Sequence, residues 1–128
     1  MTLARRIALA VCLLLLAARP QAFQGPPPEI RALVDGVIAA ANGDAAAWEA
    51  FAQKSFTPAY LKQQTPAERS AFHQQIVDRF GTVSRGGVMR DSPDAPLQIN
   101  VKGSKASGVI AVSVDDNTFR ITNVSLGA

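Results

Sequence analysis

A change of hydrophobic period at Gly81 constrains the fold more than any other feature of the sequence. Before it, apolar residues recur every three or four positions; after it, they alternate. Leu97, Ile99 and Val101 alternate with Gln98, Asn100 and Lys102. Ile110, Val112 and Val114 alternate with Ala111, Ser113 and Asp115, and Phe119 and Ile121 with Arg120 and Thr122. Each pattern predicts a half-buried strand. Asp115-Asp116-Asn117 supplies the turn between the last two. Val124 and Leu126 fall out of phase with Ile121, which predicts a bulge near Asn123. Thr82–Arg90 reads as a first strand whose alternation is interrupted by Gly86-Gly87, so a bulge or bend is expected there too.

Upstream of Gly81 the chain reads as helices. Over Glu29–Ala41, the residues Ile30, Leu33, Val34, Val37, Ile38 and Ala41 make one apolar face. Asn42-Gly43 stops this helix, since both residues tolerate a left-handed cap. Asp44 caps a second helix running to about Gln53, with Trp48 and Phe51 as its buried edge. Thr57-Pro58 opens a short helical turn carrying Tyr60 and Leu61. Thr65-Pro66-Ala67-Glu68 is a capping box with proline at the first helical position. It begins a long helix to Phe80, with Phe72, Ile76, Val77 and Phe80 as its apolar stripe. Helices first and a four-stranded antiparallel meander second predict an α+β domain, with the helices packed on one face of the sheet.

The N-terminus reads as an export signal. Met1–Arg6 carries Arg5 and Arg6 and no acid, and Ile7–Ala18 is a run of 12 apolar residues. A membrane-spanning helix needs about 20 such residues, so the run suits the apolar core of a cleavable Sec-type signal. Cleavage is expected after Ala22, which places the mature protein in the periplasm or outside the cell. The expected organisation is a signal at 1–22, a proline-rich linker at 23–28 and a single domain at 29–128. Cys12, the only cysteine, falls in the signal, so the mature form is expected to have no disulfide and no thiol chemistry. Three of the 13 basic residues, Arg5, Arg6 and Arg19, also fall there. Ten basic residues then face ten acidic ones in the mature part. A net charge of zero argues against a nucleic-acid partner. With no basic amphipathic helix, no membrane association is expected after cleavage.

Chemistry-bearing motifs are scarce. One histidine and no mature cysteine leave no zinc spacing, and no G-x-S-x-G elbow supports a serine hydrolase. Gly86-Gly87 does not lie between a strand and a helix, as a phosphate-binding loop would. His73 sits mid-helix beside Phe72 and reads as a boundary residue on the helix flank. No catalytic, cofactor-binding or metal-binding residue is assigned, and no cofactor is expected. Trp48, Tyr60 and His73 are the candidates for lining a ligand cavity between helices and sheet. On the helix-facing side of the strands the alternation puts Leu97, Ile99, Val101, Ile110, Val112, Val114, Phe119 and Ile121. None is ionisable, which argues against a proton-transfer site; a slip of one residue in register would reverse this.

Several local phrases accompany the element order: Asn42-Gly43-Asp44 followed by Trp48 and Phe51, Ser55-Phe56-Thr57-Pro58, Pro66-Ala67-Glu68-Arg69, Phe80-Gly81, and Phe119–Leu126. Together they resemble the cystatin-like, NTF2-like α+β domains, in particular the accessory domains beside exported serine hydrolases of the β-lactamase-like and tail-specific-protease-like kinds. The resemblance covers nearly all of Glu29–Leu126. It implies the fold and an exported hydrolase as a partner, and it carries no catalytic residues. The expected function is a non-enzymatic exported module that binds a protein partner or a small apolar ligand. The alternative is an isomerase or dehydratase of the NTF2-like type. The outer sheet face is the candidate surface for a homodimer.

Overall fold

Pro28 takes the first position of helix α1 (Pro28–Asn42), where its missing N–H costs nothing. The computed structural model describes residues 26–127; the expected signal, its cleavage site and Cys12 lie outside the described residues. Helix α1 ends at Gly43 in an extended conformation (φ −83°), not in the left-handed cap expected from Asn42-Gly43. The Asn42 side chain has a different task. Its Nδ2 donates to the Val83 carbonyl at 2.8 Å, and its Oδ1 accepts from the Val83 N–H at 2.8 Å. Asn42 thereby pairs with a strand edge as a neighbouring strand would, and ties the end of α1 to the sheet.

Asp44 caps α2 (Ala45–Ser55) by accepting from the Ala47 N–H at 2.8 Å. Thr57 caps the short α3 (Pro58–Gln63) in the same way. The expected capping box is formed at Thr65 and Glu68 and opens α4 (Pro66–Phe80). Helix α4 stops at Gly81 with φ +74°, where a side chain would also collide with Ser104.

The four strands are β1 (Val83–Met89), β2 (Leu97–Gly103), β3 (Ser107–Asp115) and β4 (Arg120–Leu126), antiparallel and in sequential order. The architecture is α+β with a meander sheet, as the change of period predicts. Both bulges occur. Arg85 pairs with Val101 and Val88 with Ile99, so Gly86 and Gly87 together oppose Asn100. Ser113 pairs with Asn123 and Val114 with Ile121, which leaves Thr122 as the extra residue of β4. That extra residue is why Ile121 and Val124, three apart, both turn inward. Phe119 departs from expectation. It lies in the turn before β4 with φ +55°, not in the strand, and it and Val114 are only partly buried.

The core lies between the layers. Leu97, Ile99, Val101, Ile110, Val112 and Ile121 are buried from the sheet. From the helices come Val34, Val37, Trp48, Ile76 and Phe80, and from the α2–α3 junction Phe56. Phe56 also forms a parallel bridge with Ile121, and the Thr57 N–H donates to the Ile121 carbonyl at 2.9 Å, so the α2–α3 junction covers part of the β4 edge.

Candidate functional site

Trp48, Tyr60 and His73 all lie in the core. Trp48 is 1% exposed and is surrounded by rings, with centroids at 5.9 Å to Phe51, 6.4 Å to Phe56, 5.8 Å to Phe72 and 6.0 Å to His73. Tyr60 stacks on Phe56 at 4.9 Å, and its hydroxyl accepts from the Val124 N–H at 3.1 Å. Placed at the β4 bulge, that hydroxyl provides an acceptor for a backbone donor inside the core. The three side chains form part of one aromatic layer and line none of the surface hollows described below.

His73 is not a boundary residue. It is 4% exposed, and its Nε2 has no hydrogen-bond partner among the described residues. The reason is the rotation of α4. Its buried residues are Arg69, His73, Ile76 and Phe80, at spacings of four, three and four, while the expected stripe residues Phe72 and Val77 sit at the margin. The spacing itself was readable; the polar identity of two of its members hid it.

Arg69, which no motif marked as functional, is 4% exposed and organises the helical layer. Its Nε donates to Glu49 Oε2 at 2.7 Å and its Nη2 to Glu49 Oε1 at 2.8 Å, a bidentate pair. Its Nη1 donates to the carbonyls of Leu61 at 3.2 Å and Gln64 at 2.9 Å. These carbonyls belong to the C-terminal end of α3, where helix acceptors lack intrahelical partners. One guanidinium therefore holds α2, α3 and α4 together. Hydrogen bonding from Arg69 holds the Glu49 carboxyl below the usual carboxylate range, against the opposing effect of burial. Four of the five guanidinium donors are met by the protein's own acceptors, which makes the arrangement a structural clamp.

Three surface hollows are candidates for ligands. One, of about 220 Å³, lies between the start of α1 and the β1 bulge, with Ile30, Val34 and Val88 as apolar lining and Arg31 and Arg85 beside them. A second, of about 240 Å³, is a groove between α1 and α2 around Leu33, Gly36 and Phe51. A third, of about 350 Å³, lies where the Asn42-Gly43 and Gly81-Thr82 turns meet. The outer sheet face is the fourth candidate surface. It carries Gln98, Asn100, Lys102, Ser113, Asn123 and Ser125, and Met89 at its edge is 56% exposed. Among the described residues no cluster of three or more His, Cys, Asp or Glu could hold a metal ion, and no helix is long and apolar enough to cross a membrane.

No protein-family model, curated protein or solved structure matches the chain.

Proposed function

We propose that the chain is an exported, non-enzymatic module of the cystatin-like, NTF2-like kind that binds a protein partner, such as an exported hydrolase, or a small apolar ligand. The observation that carries this reading is the interior. Leu97, Ile99, Val101, Ile110, Val112 and Ile121 on the sheet meet Trp48, Ile76 and Phe80 on the helices and Phe56 at the α2–α3 junction. Aliphatic and aromatic side chains occupy the space where an enzyme on such a fold would hold its substrate against an acid or base. Recognition then falls to the exterior: the hollows beside α1 for a small ligand, and the outer sheet face for a partner or a second copy. Export rests on the Arg5-Arg6 pair and the apolar run that follows. Mass spectrometry of exported protein should find an N-terminus within a few residues of Phe23; an intact Met1–Arg19 would refute export with cleavage.

An isomerase or dehydratase is the second reading, and His73 is what favours it. A buried imidazole whose Nε2 has no hydrogen-bond partner among the described residues could exchange a proton with a substrate if the helices part to admit one. Ligand-observed NMR on small apolar ketones and hydroxy compounds decides between the two. Ligands that bind and return unchanged support the module. Conversion that disappears in His73→Phe, with the fold intact, would establish the enzyme.

A further inference from the structure

The hollow between α1 and the β1 bulge combines three features. The first is its apolar lining: the core side chains Ile30 and Val34 of α1 form its floor, and the half-buried Val88 of β1 adds to it. The second is a pair of cations from different elements. Arg31 lines the hollow from the helix and forms no salt bridge among the described residues. Arg85 lines it from the strand. Its Nη1 meets Asp35 Oδ1 at 3.0 Å, but both side chains are exposed, at 42% and 70%, and such a pair contributes little and leaves the other guanidinium donors free. Arg31, Arg85 and Asp35 together leave one positive charge at the rim. The third feature is the bulge. Two glycine peptides oppose the single residue Asn100, and a bulge leaves one of its residues outside the ladder. Gly86 and Gly87 both line the hollow. Gly86 is packed closely against Asn100, whereas a side chain at Gly87 would meet no heavy atom of the described residues nearer than 3.8 Å, its two chain neighbours aside. Packing therefore accounts for the first glycine but not for the second, and a bare strand backbone beside a hollow is a place where a ligand can approach closely.

We infer that this hollow binds a small organic carboxylate, with a short aliphatic body against Ile30, Val34 and Val88 and the carboxylate between Arg31 and Arg85. The size agrees. About 220 Å³ falls below the volume of about 300 Å³ at which drug-sized pockets begin, so the body is a few carbons long. The charge agrees as well, because guanidinium groups match a carboxylate in geometry and sign. The inference rests on the small-ligand half of the proposed function, adds a carboxylate head to its apolar ligand and names its place.

The test is an amide NMR titration of the exported protein with hexanoate, 1-hexanol and hexylammonium. Hexanoate should shift Arg31, Gly86, Gly87 and Val88 saturably, and bind about tenfold more tightly than 1-hexanol, as one charge-assisted contact allows. Hexylammonium should leave those amides unmoved. In the Arg31→Gln, Arg85→Gln double variant, hexanoate and 1-hexanol should bind alike while the remaining spectrum keeps its folded pattern. Equal shifts from hexanoate and hexylammonium would overturn the inference, as would a preference for hexanoate that survives the double variant. Saturable hexanoate shifts confined to Leu33, Gly36 and Phe51 would overturn this site while leaving a small-ligand module standing. No saturable shift from any of the three probes would overturn the site, while the small-ligand half of the function would still stand or fall on the ketones and hydroxy compounds.

Discussion

On the helix-facing side of the sheet, β2 and β3 bury Leu97, Ile99, Val101, Ile110 and Val112, all aliphatic. In the helical layer α4 buries Arg69 and His73 alongside Ile76 and Phe80. The backbone explains the difference. In a central strand the ladder satisfies the peptide groups on both sides, so an inward polar side chain would find no partner and would lose its hydration. Helix ends differ, because their last carbonyls have no intrahelical donors. Where α3 ends against α4, Leu61 and Gln64 present such carbonyls, and a guanidinium reaching them and Glu49 is buried without being unsatisfied. Arg69 enters this core where two helix termini converge, whereas His73, in the middle of α4, is carried inward by the rotation of that helix.

The largest test of that contrast removes an aromatic side chain on which both layers depend. Trp48→Ala and Phe80→Ala should each destabilise by about 3–5 kcal/mol in denaturant melts, the usual loss for large core aromatics. A loss below about 1 kcal/mol would place the side chain outside the core.

A somewhat smaller effect is expected from breaking the clamp. Removal of one partner of a buried ion pair costs about 3–5 kcal/mol. Since Glu49 keeps 32% of its side chain exposed, Glu49→Ala should cost less, about 2 kcal/mol. Arg69→Lys should not preserve stability, because an ammonium cannot serve Glu49 and two carbonyls in the geometry of the guanidinium. If melts show Arg69→Lys as stable as the parent, the carbonyl contacts are dispensable and the explanation by helix ends fails.

The same pair sets a pH dependence. The Glu49 carboxyl is held below its ordinary value of 4.5 in the folded protein, so the unfolded chain takes up the proton first as pH falls. The stabilisation is present in full above the ordinary value and is lost as pH drops through the lower folded value. Melts from pH 6 downward should show the parent losing more stability than Glu49→Ala; parallel curves would contradict this.

His73 sharpens the comparison at the small end. Its Nε2 has no partner among the described residues, so His73→Phe should change stability by less than about 1 kcal/mol, since the loss of an unpartnered polar atom offsets the added ring volume. His73→Ala should cost about 2 kcal/mol through the cavity it leaves. A much larger loss in His73→Phe than in His73→Ala would mean that the ring position tolerates no added bulk.

Much of the fold was legible because its signals are local. The Asp44, Thr57 and Thr65 caps act within three residues, and strand alternation is a period of two. The Gly86-Gly87 and Asn123 irregularities appear as breaks in that period. The candidate site was less legible. Periodicity marked an inward stripe on α4, but it could not predict that Arg69 and His73 belong to it, because hydrophobic patterning excludes such residues unless a partner is known. The partner of Arg69 lies 20 residues away in Glu49, and the partner of Asn42 lies 41 residues away in Val83. Sequence alone therefore determined which segments are helix and strand, where they start and stop to within a residue or two, and that the sheet would bury one aliphatic face. Only the tertiary structure decided how far α4 rotates, which polar groups its rotation carries inside, and which cations converge on the β1 bulge. Contacts within a few residues obey the local chain geometry. Contacts across tens of residues depend on how the layers dock, which no short window of sequence contains.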